Sequence, residues 1–448
     1  MNQMAPLGPA RKGKKPRAPQ AITIRNFRTY FAGSVVSVPG TWMQMTAQAW
    51  LVLDLTGSPL SLAIVTSLQF LPVMLLSLIG GALADRFPRR RLMAMTQTLG
   101  AIQAVILGVL CLTGVVSIWH IYVMAMSLGV INALDAPLRQ AFISELVPPP
   151  YLPNAIAMGS LAQNLGRIIG PAVGGVVIAT FGVATAYFIN AFTFGAALTA
   201  LALLRTDELQ PRRMARKQHL LLQVREGISY ARRTPPILFL LIATAFIGLF
   251  GQNFTTMVPL ISTYLVKASA AEFGILNSCL GCGSFLAAIV LTMRGPPSTR
   301  RLIVAGFGFG LVLMAISFSS SLILSAAMFV CVGFAAVTYS ASMHTSLQLW
   351  APPEMRGRLV SMVNLLIPSP IGPMLTGAAA TALGVPLAVL LNGFLCCAGV
   401  GLAYVYLLHH KRLGTRFEHD APTAAQAEAT APTGSGHDGT GILVESHK

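Results

Sequence analysis

Long apolar runs alternate with short polar breaks along this chain, and the runs hold almost no charge. Hydropathy places twelve of them at about 27–54, 60–84, 92–115, 118–146, 153–181, 183–204, 236–266, 271–293, 300–319, 321–350, 355–382 and 385–408. Each is long enough to cross a hydrocarbon core of roughly 30 Å as a helix. Gly, Pro or charge punctuates the junctions, as in Thr56-Gly57-Ser58-Pro59 and the segment from Arg294 to Arg300. The pattern predicts an all-α membrane protein with twelve transmembrane helices.

Sorting the basic residues by side gives an orientation. With the N-terminus inside, all 31 Lys and Arg except Lys267, Arg139 and Arg167 fall in cytoplasmic segments, as the positive-inside bias requires. Both termini are therefore expected in the cytoplasm. The longest connection carries Arg212, Arg213, Arg216, Lys217, Arg225, Arg232 and Arg233 and separates six runs from six. Within it Leu221, Val224, Ile228 and Ala231 share one helical face, which suits a helix lying on the inner leaflet; an irregular basic linker is the alternative. A weak repeat supports the division: Gly170-Pro171 and Gly175 in the fifth run answer Gly372-Pro373 and Gly377 in the eleventh, offset by about 202 residues. The expected organisation is a basic tail over 1–25, a six-helix bundle over 26–204, a basic cytoplasmic linker over 205–235, a second bundle over 236–409 and a disordered tail over 410–448.

Composition narrows the function. The chain is 54% hydrophobic and 10% charged, against about 25% charged residues in soluble proteins. Its charge of +17 does not imply nucleic acid, because the basic residues sit in tails and loops and form no patch on a soluble face. The N-terminal tail lacks the apolar stretch and small-residue cleavage site of a secretory signal. All six cysteines lie inside apolar runs, where they behave as small hydrophobes; Cys279 and Cys282 have metal-like spacing but no His or further Cys nearby. No phosphate-cradling loop, His-Glu-x-x-His or nucleophile elbow is present. The reading is no enzyme, no cofactor and no bound metal.

Between the second and third runs, Asp85, Arg86, Arg89, Arg90 and Arg91 crowd into the hairpin Gly81-Ala-Leu-Ala-Asp-Arg-Phe-Pro-Arg-Arg-Arg-Leu92. With twelve spans and a basic linker after the sixth, this loop resembles the signature of the major facilitator superfamily. Pro88 stands where that superfamily usually has glycine, which stiffens the turn. Gly40-Thr-Trp42-Met-Gln44 through Gln48-x-Trp50, Asn132 to Gln140 and Leu152-Pro153-Asn154-Ala155 are similar to its bacterial enterobactin-exporter-like, or secretion-effector, branch. The resemblance implies two pseudo-symmetric six-helix bundles that rock about a central site. It also implies that Asp85 locks the cytoplasmic side against the start of the eleventh span. Glu354, Arg356 and Arg358 stand there, behind Pro352-Pro353, with free helix N–H groups to receive a carboxylate. The expected cytoplasmic gate is Asp85, Arg86, Arg89, Arg90, Arg139, Glu354 and Arg358.

Two runs of the first half carry intramembrane charge. Asp135 and Arg139 stand four apart and share a helical face, with Pro137 loosening the helix between them. Asp135 is either a structural lock or a proton-coupling acid. Ala162, Gly166, Gly170 and Gly174 make a strip that lets another helix approach closely. Together with Pro171 and Gly175, the glycines match the superfamily's exporter-associated signature, which implies export. Arg167 lies near the centre of the fifth run and cannot give up its proton. It either attracts an anion in the cavity or pairs with Asp135. The second half offers neutral polar groups, and Gln44, Gln48, Asn164, Gln252, Asn253, Asn277 and Asn364 are the candidates for lining a largely apolar cavity.

The expectation is a monomeric secondary transporter of the inner membrane, driven by protons, that exports a small amphipathic molecule of the drug or siderophore class. Its partners would be that solute, protons and the lipid bilayer. An importer or downhill facilitator of the same fold is the nearest alternative. A non-transporting scaffold or sensor is the alternative of another class.

Overall fold

The computed structural model describes residues 20–210, 220–293, 298–366 and 369–412. The expected tails up to residue 19 and from residue 413, the linker core 211–219, and the side chains of Asp85 and Asn364 lie outside the described residues.

The first half is six helices: α1 (Arg25–Thr56), α2 (Pro59–Arg86), α3 (Arg89–Leu112), α4 (Ile118–Leu146), α5 (Leu152–Phe181) and α6 (Val183–Ala202). A linker helix, α7 (Leu220–Arg233), follows. The second half holds α8 (Pro235–Phe246), α9 (Phe254–Leu260), α10 (Ala270–Met293), α11 (Thr299–Ile316), α12 (Leu322–Trp350), α13 (Pro353–Leu366), α14 (Ile371–Leu383) and α15 (Val385–Arg412). Ten helical stretches among the described residues are long and apolar enough to cross a membrane. The 32-residue α1 and the broken pair α13 and α14 complete the twelve spans. Helix is the outcome lipid enforces, since it satisfies every backbone group within one segment.

Local chemistry fixes the turns. Gly57 ends α1 in the left-handed region, and the Ser58 hydroxyl then accepts from the Ser61 amide to start α2 behind Pro59. Gly182, with φ +82°, forms the one-residue turn between α5 and α6. Gly384, with φ +84°, does the same between α14 and α15. Both turns need a residue without a Cβ, and they stand at the offset of the internal repeat.

Two spans differ from the simple pattern. The seventh is a single apolar run in sequence but divides into α8, a π-helical turn Ile247–Gly251, a break at Gln252 and Asn253, and α9, closing with a second π-turn Ile261–Val266. Such bulges recur at functional sites. The eleventh divides into α13 and α14 in a stretch that carries Pro368, Pro370 and Pro373.

Within the first half, α1 packs on α5 and α6, α2 on α4, and α3 on α4 and α6. In the second, α10 packs on α12, α11 on α12 and α15, and α8 on α15. Across the middle, α5 meets α10 and α2 meets α14. Arg89, Arg90, Arg205 and α7 mark one end of the molecule, called here the basic end; Gly57, Gly182, Lys267 and Gly384 mark the far end.

Candidate functional site

The two halves close on each other toward the far end. A Cβ at Gly175 would come within 2.7 Å of the Ala270 carbonyl oxygen and 2.8 Å of the Gly274 Cα, so only glycine lets α5 and α10 lie this close. The Ser278 hydroxyl donates to the Ile168 carbonyl at 2.6 Å, and a Cβ at Gly281 would crowd Ile168. On the opposite side of the molecule Gly377 of α14 lies on Pro59, Leu60 and Ala63 of α2, and Ser67 donates to the Pro370 carbonyl at 2.7 Å. Gly175 and Gly377 are repeat equivalents, so one device is used twice. The Tyr264 hydroxyl adds a bond to the Gly57 carbonyl at 2.5 Å.

Below this seal, at mid-depth between the halves, lies a cavity of about 230 Å³. From the first half Trp42, Gln48, Gln69 and Arg167 line it; from the second come Gln252, Phe254, Phe273 and Asn277. Trp50 stacks on Phe273 at 6.0 Å between ring centroids and backs the wall. Its charge comes from Arg167, halfway along α5. The guanidinium lies 5.6 Å from the Trp42 ring centroid and 5.7 Å from that of Phe254, so aromatic faces from opposite halves hold it by cation–π attraction. No described carboxylate pairs with Arg167. Gln69 donates to the Gln48 Oε1 at 3.0 Å, Gln252 donates to Ser340 at 3.0 Å, and the Gln48 Nε2 has no acceptor among the described residues.

The intramembrane acid sits elsewhere, inside the first bundle. Asp135 accepts from Thr96 at 2.6 Å and Gln97 at 2.9 Å through one oxygen and pairs with Arg139 through the other. A carboxylate so satisfied costs little to bury, and the arrangement ties α3 to α4. Of the alternatives open to Asp135 and Arg167, a mutual ion pair is not formed.

At the basic end the arginines serve helix ends. Arg89 is buried, donates to the Ala84 and Ala141 carbonyls at 3.2 and 3.0 Å, and pairs with buried Glu145 at 3.0 Å. Arg90 donates to the Leu201 and Ala202 carbonyls at the end of α6. Cations there answer both the orphan carbonyls and the negative helix dipole. Pro88 caps α3, its fixed φ of −58° setting the turn that points these arginines inward. Arg356 donates to the Ala351 carbonyl, and Arg358 pairs with Glu226 of α7. Arg86 and Glu354 are exposed.

The sequence candidates thus separate. Gln48, Gln252, Asn277 and Arg167 meet at the cavity. Gln44 does not line it: it donates to Gln103 at 2.8 Å and accepts from Asn190 at 2.5 Å in a buried network of the first bundle. Asn253 bonds the Leu249 carbonyl and Thr376, and Asn164 bonds the Ser160 carbonyl of its own helix. Gly166, Gly170 and Gly174 face Val38, Pro39, Trp42 and Met43 of α1, within one bundle, whereas Gly175 and the Pro171 carbonyl face α10. Sequence reasoning missed Gln69, Phe254 and Phe273. Gln69 lies near mid-run and Phe254 at a run's kink, while Phe273, at the start of the eighth run, carries no such signal.

Sequence comparison decides the family. The profile of the transmembrane secretion effector family matches residues 15–429. The chain belongs to that family. It is therefore a major facilitator superfamily transporter, multi-pass in the membrane, and not an enzyme. It is 27% identical over 360 residues to the multidrug efflux pump Tap of Mycolicibacterium fortuitum, covering 77% of this chain and 87% of that one. It is 24% identical over 306 residues to the staphyloferrin A transporter of Staphylococcus aureus, covering 68% and 75%. Macrolide efflux protein A of Streptococcus pyogenes is 23% identical, with 82% and 93% covered. Among solved structures, a bacterial homologue of the lysosomal transporter Spinster, inward-facing and unoccupied, superposes with a TM-score of 0.69 at 16% identity, over 89% of this chain and 99% of that one. The peptide-transporter-family member PepTSo gives 0.70 at 12% identity, over 87% and 99%. These relatives share the fold with this family member.

Proposed function

We propose that this transporter is a proton-coupled exporter of small amphipathic molecules, acting as a monomer in the inner membrane with both termini in the cytoplasm. The observation that carries the reading is the mid-depth cavity between two pseudo-symmetric halves, shut at the far end by the Gly175–Gly274 and Ser67–Pro370 contacts. A site placed on that axis meets each side in turn when the halves rock. The basic end, crowded with arginine, belongs in the cytoplasm by the positive-inside bias, so the far-end seal shuts the outward side in this conformation. Relatives named for multidrug and macrolide efflux favour export. Asp135 is the acid assigned to coupling, because protonating it would weaken its intrahelical pair with Arg139 and the Thr96 and Gln97 bonds that tie α3 to α4. Asp85 and the start of α13 would form the cytoplasmic gate in the other conformation.

The test uses everted membrane vesicles acidified inside by respiration. Adding an exported solute should release protons and restore the fluorescence of a trapped pH dye, and Asp135→Asn should abolish that signal. Solute movement that continues unchanged after the gradient is collapsed would refute coupling and favour a downhill facilitator. That second reading draws on Asp135 already holding Thr96, Gln97 and Arg139.

A further inference from the structure

Arg167 has aromatic neighbours and no polar partner among the described residues. Its guanidinium carbon lies over the Trp42 and Phe254 rings, 5.6 and 5.7 Å from their centroids. A guanidinium carries five N–H donors in a planar fork. None of the hydrogen bonds and ion pairs among the described residues engages Arg167, although the residue sits at membrane mid-depth, where an unneutralised cation is costly. Beside it on the same cavity wall, Gln48 is 1% exposed and its Nε2 donor has no acceptor among the described residues. The remaining polar lining is neutral, from Thr46, Thr66, Gln69, Gln252, Thr255 and Asn277, and the rest is apolar or aromatic.

From this we infer that the cavity selects organic anions: amphipathic molecules whose carboxylate, or a comparable planar oxyanion, docks edge-on to Arg167 and Gln48 while an apolar or aromatic body lies against Phe70, Phe254 and Phe273. The inference rests on the cavity being the transport site and narrows the proposed substrate from amphipathic molecules in general to anionic ones. A planar fork of two N–H groups matches a carboxylate in geometry and charge. The two aromatic rings hold the guanidinium in place before the ligand arrives, so little ordering remains to be done on binding. A cationic amphipath meets a like charge at Arg167, which already draws on the Trp42 and Phe254 rings that would attract it. The cavity's 230 Å³ suits a fused pair of rings bearing one acid group.

The experiment measures binding to the purified full-length chain in nanodiscs, with empty nanodiscs as reference. The probes are 2-naphthoate, 2-naphthamide and 2-naphthylmethylamine, which share an apolar body and differ in charge. Wild type should bind the naphthoate about tenfold or more tighter than the amide, as a charged hydrogen-bonded pair predicts, and should bind the amine weakest. Arg167→Gln should erase the preference for naphthoate over the amide, Arg167→Lys should keep part of it, and Gln48→Leu should weaken naphthoate several-fold with little effect on the amide. A thermal unfolding curve confirms that each variant is folded. Naphthoate binding no tighter than the amide in wild type, or unchanged by Arg167→Gln, would overturn the inference. Anion preference without proton-linked efflux in the vesicle assay would instead retire the exporter reading and leave the site's selectivity standing.

Discussion

Replacing Gly175 with alanine should loosen the far-end seal while leaving each bundle intact. The added Cβ would stand 2.7 Å from the Ala270 carbonyl oxygen and 2.8 Å from the Gly274 Cα, where ordinary contact begins at 3.4 Å. α5 and α10 must therefore separate by about 0.7 Å, and overpacking of this kind costs about 1–3 kcal/mol. Alanine also favours helix over glycine by about 1 kcal/mol. That second effect cancels between conformations, because α5 stays helical in both. What remains is a shift of roughly 5- to 150-fold against the far-end-closed state. Gly274→Ala presses on the same contact, so the double variant should shift the equilibrium by less than the product of the single effects.

The assay is a distance distribution between spin labels on Asp54 and Lys267, exposed positions near the far end of the two halves. It is recorded in nanodiscs after replacing the six native cysteines. Gly175→Ala should add a longer-distance population, and turnover should fall because the cycle must pass through the closed state. Gly308→Ala, where a Cβ meets nothing within 4 Å, should change neither. If Gly175→Ala leaves the distribution of the folded protein unchanged, the glycine contact is not what holds the far end closed.

Other outcomes follow from the same geometry. Tyr264→Phe deletes the bond to the Gly57 carbonyl and should shift the same distribution in the same direction by about 0.5–1.5 kcal/mol. Glu145→Ala removes a carboxylate partner of buried Arg89 and should lower unfolding stability by about 3–5 kcal/mol, read from thermal melts in detergent; a loss under 1 kcal/mol would mean the remaining partners of Arg89, the Ala84 and Ala141 carbonyls among them, suffice. Glu226→Ala removes the partner of Arg358 at a half-exposed site and should cost no more than about 1 kcal/mol in the same melts. Gln103→Leu takes the buried acceptor from the Gln44 Nε2 and should cost about 1–3 kcal/mol without changing which solutes bind, as judged by the naphthoate-to-amide preference.

Lipid makes the helices legible, because any uncharged run of sufficient length has one way to satisfy its backbone. The repeat of Gly170-Pro171 and Gly372-Pro373 likewise exposes the two halves, and the positive-φ glycines at 182 and 384 follow from the same offset. Side-chain destination is a different matter. Gln44 and Gln48 lie one turn apart on one helix and look equivalent, yet Gln103 and Asn190 claim the first while the second faces the cavity. The Asp135–Arg139 pair can be read from its spacing; Thr96 and Gln97, supplied by another helix, cannot. The paired amides Gln252–Asn253 are visible in the sequence, but nothing in an otherwise apolar run says that the helix breaks there, and Phe254, over Arg167, directly follows the break.

The distribution of charge between the halves limits how binding drives the cycle. Arg89, Asp135, Arg139, Glu145 and Arg167 all belong to the first bundle, while the second meets the cavity with Phe254, Phe273, Gln252 and Asn277. A ligand moves a conformational equilibrium only through contacts that differ between the two states. The Arg167 guanidinium touches Trp42 in its own half and Phe254 in the other, so it is the polar group whose surroundings must change when the halves rock apart. An anion seated on its edge keeps the cation neutralised while Phe254 moves away, which lowers the cost of the transition for the loaded carrier relative to the empty one. Arg167→Gln should therefore do more than weaken binding. It should lessen the dependence of the conformational change on substrate, and spin-label distributions recorded with and without 2-naphthoate should differ in wild type and coincide in the variant.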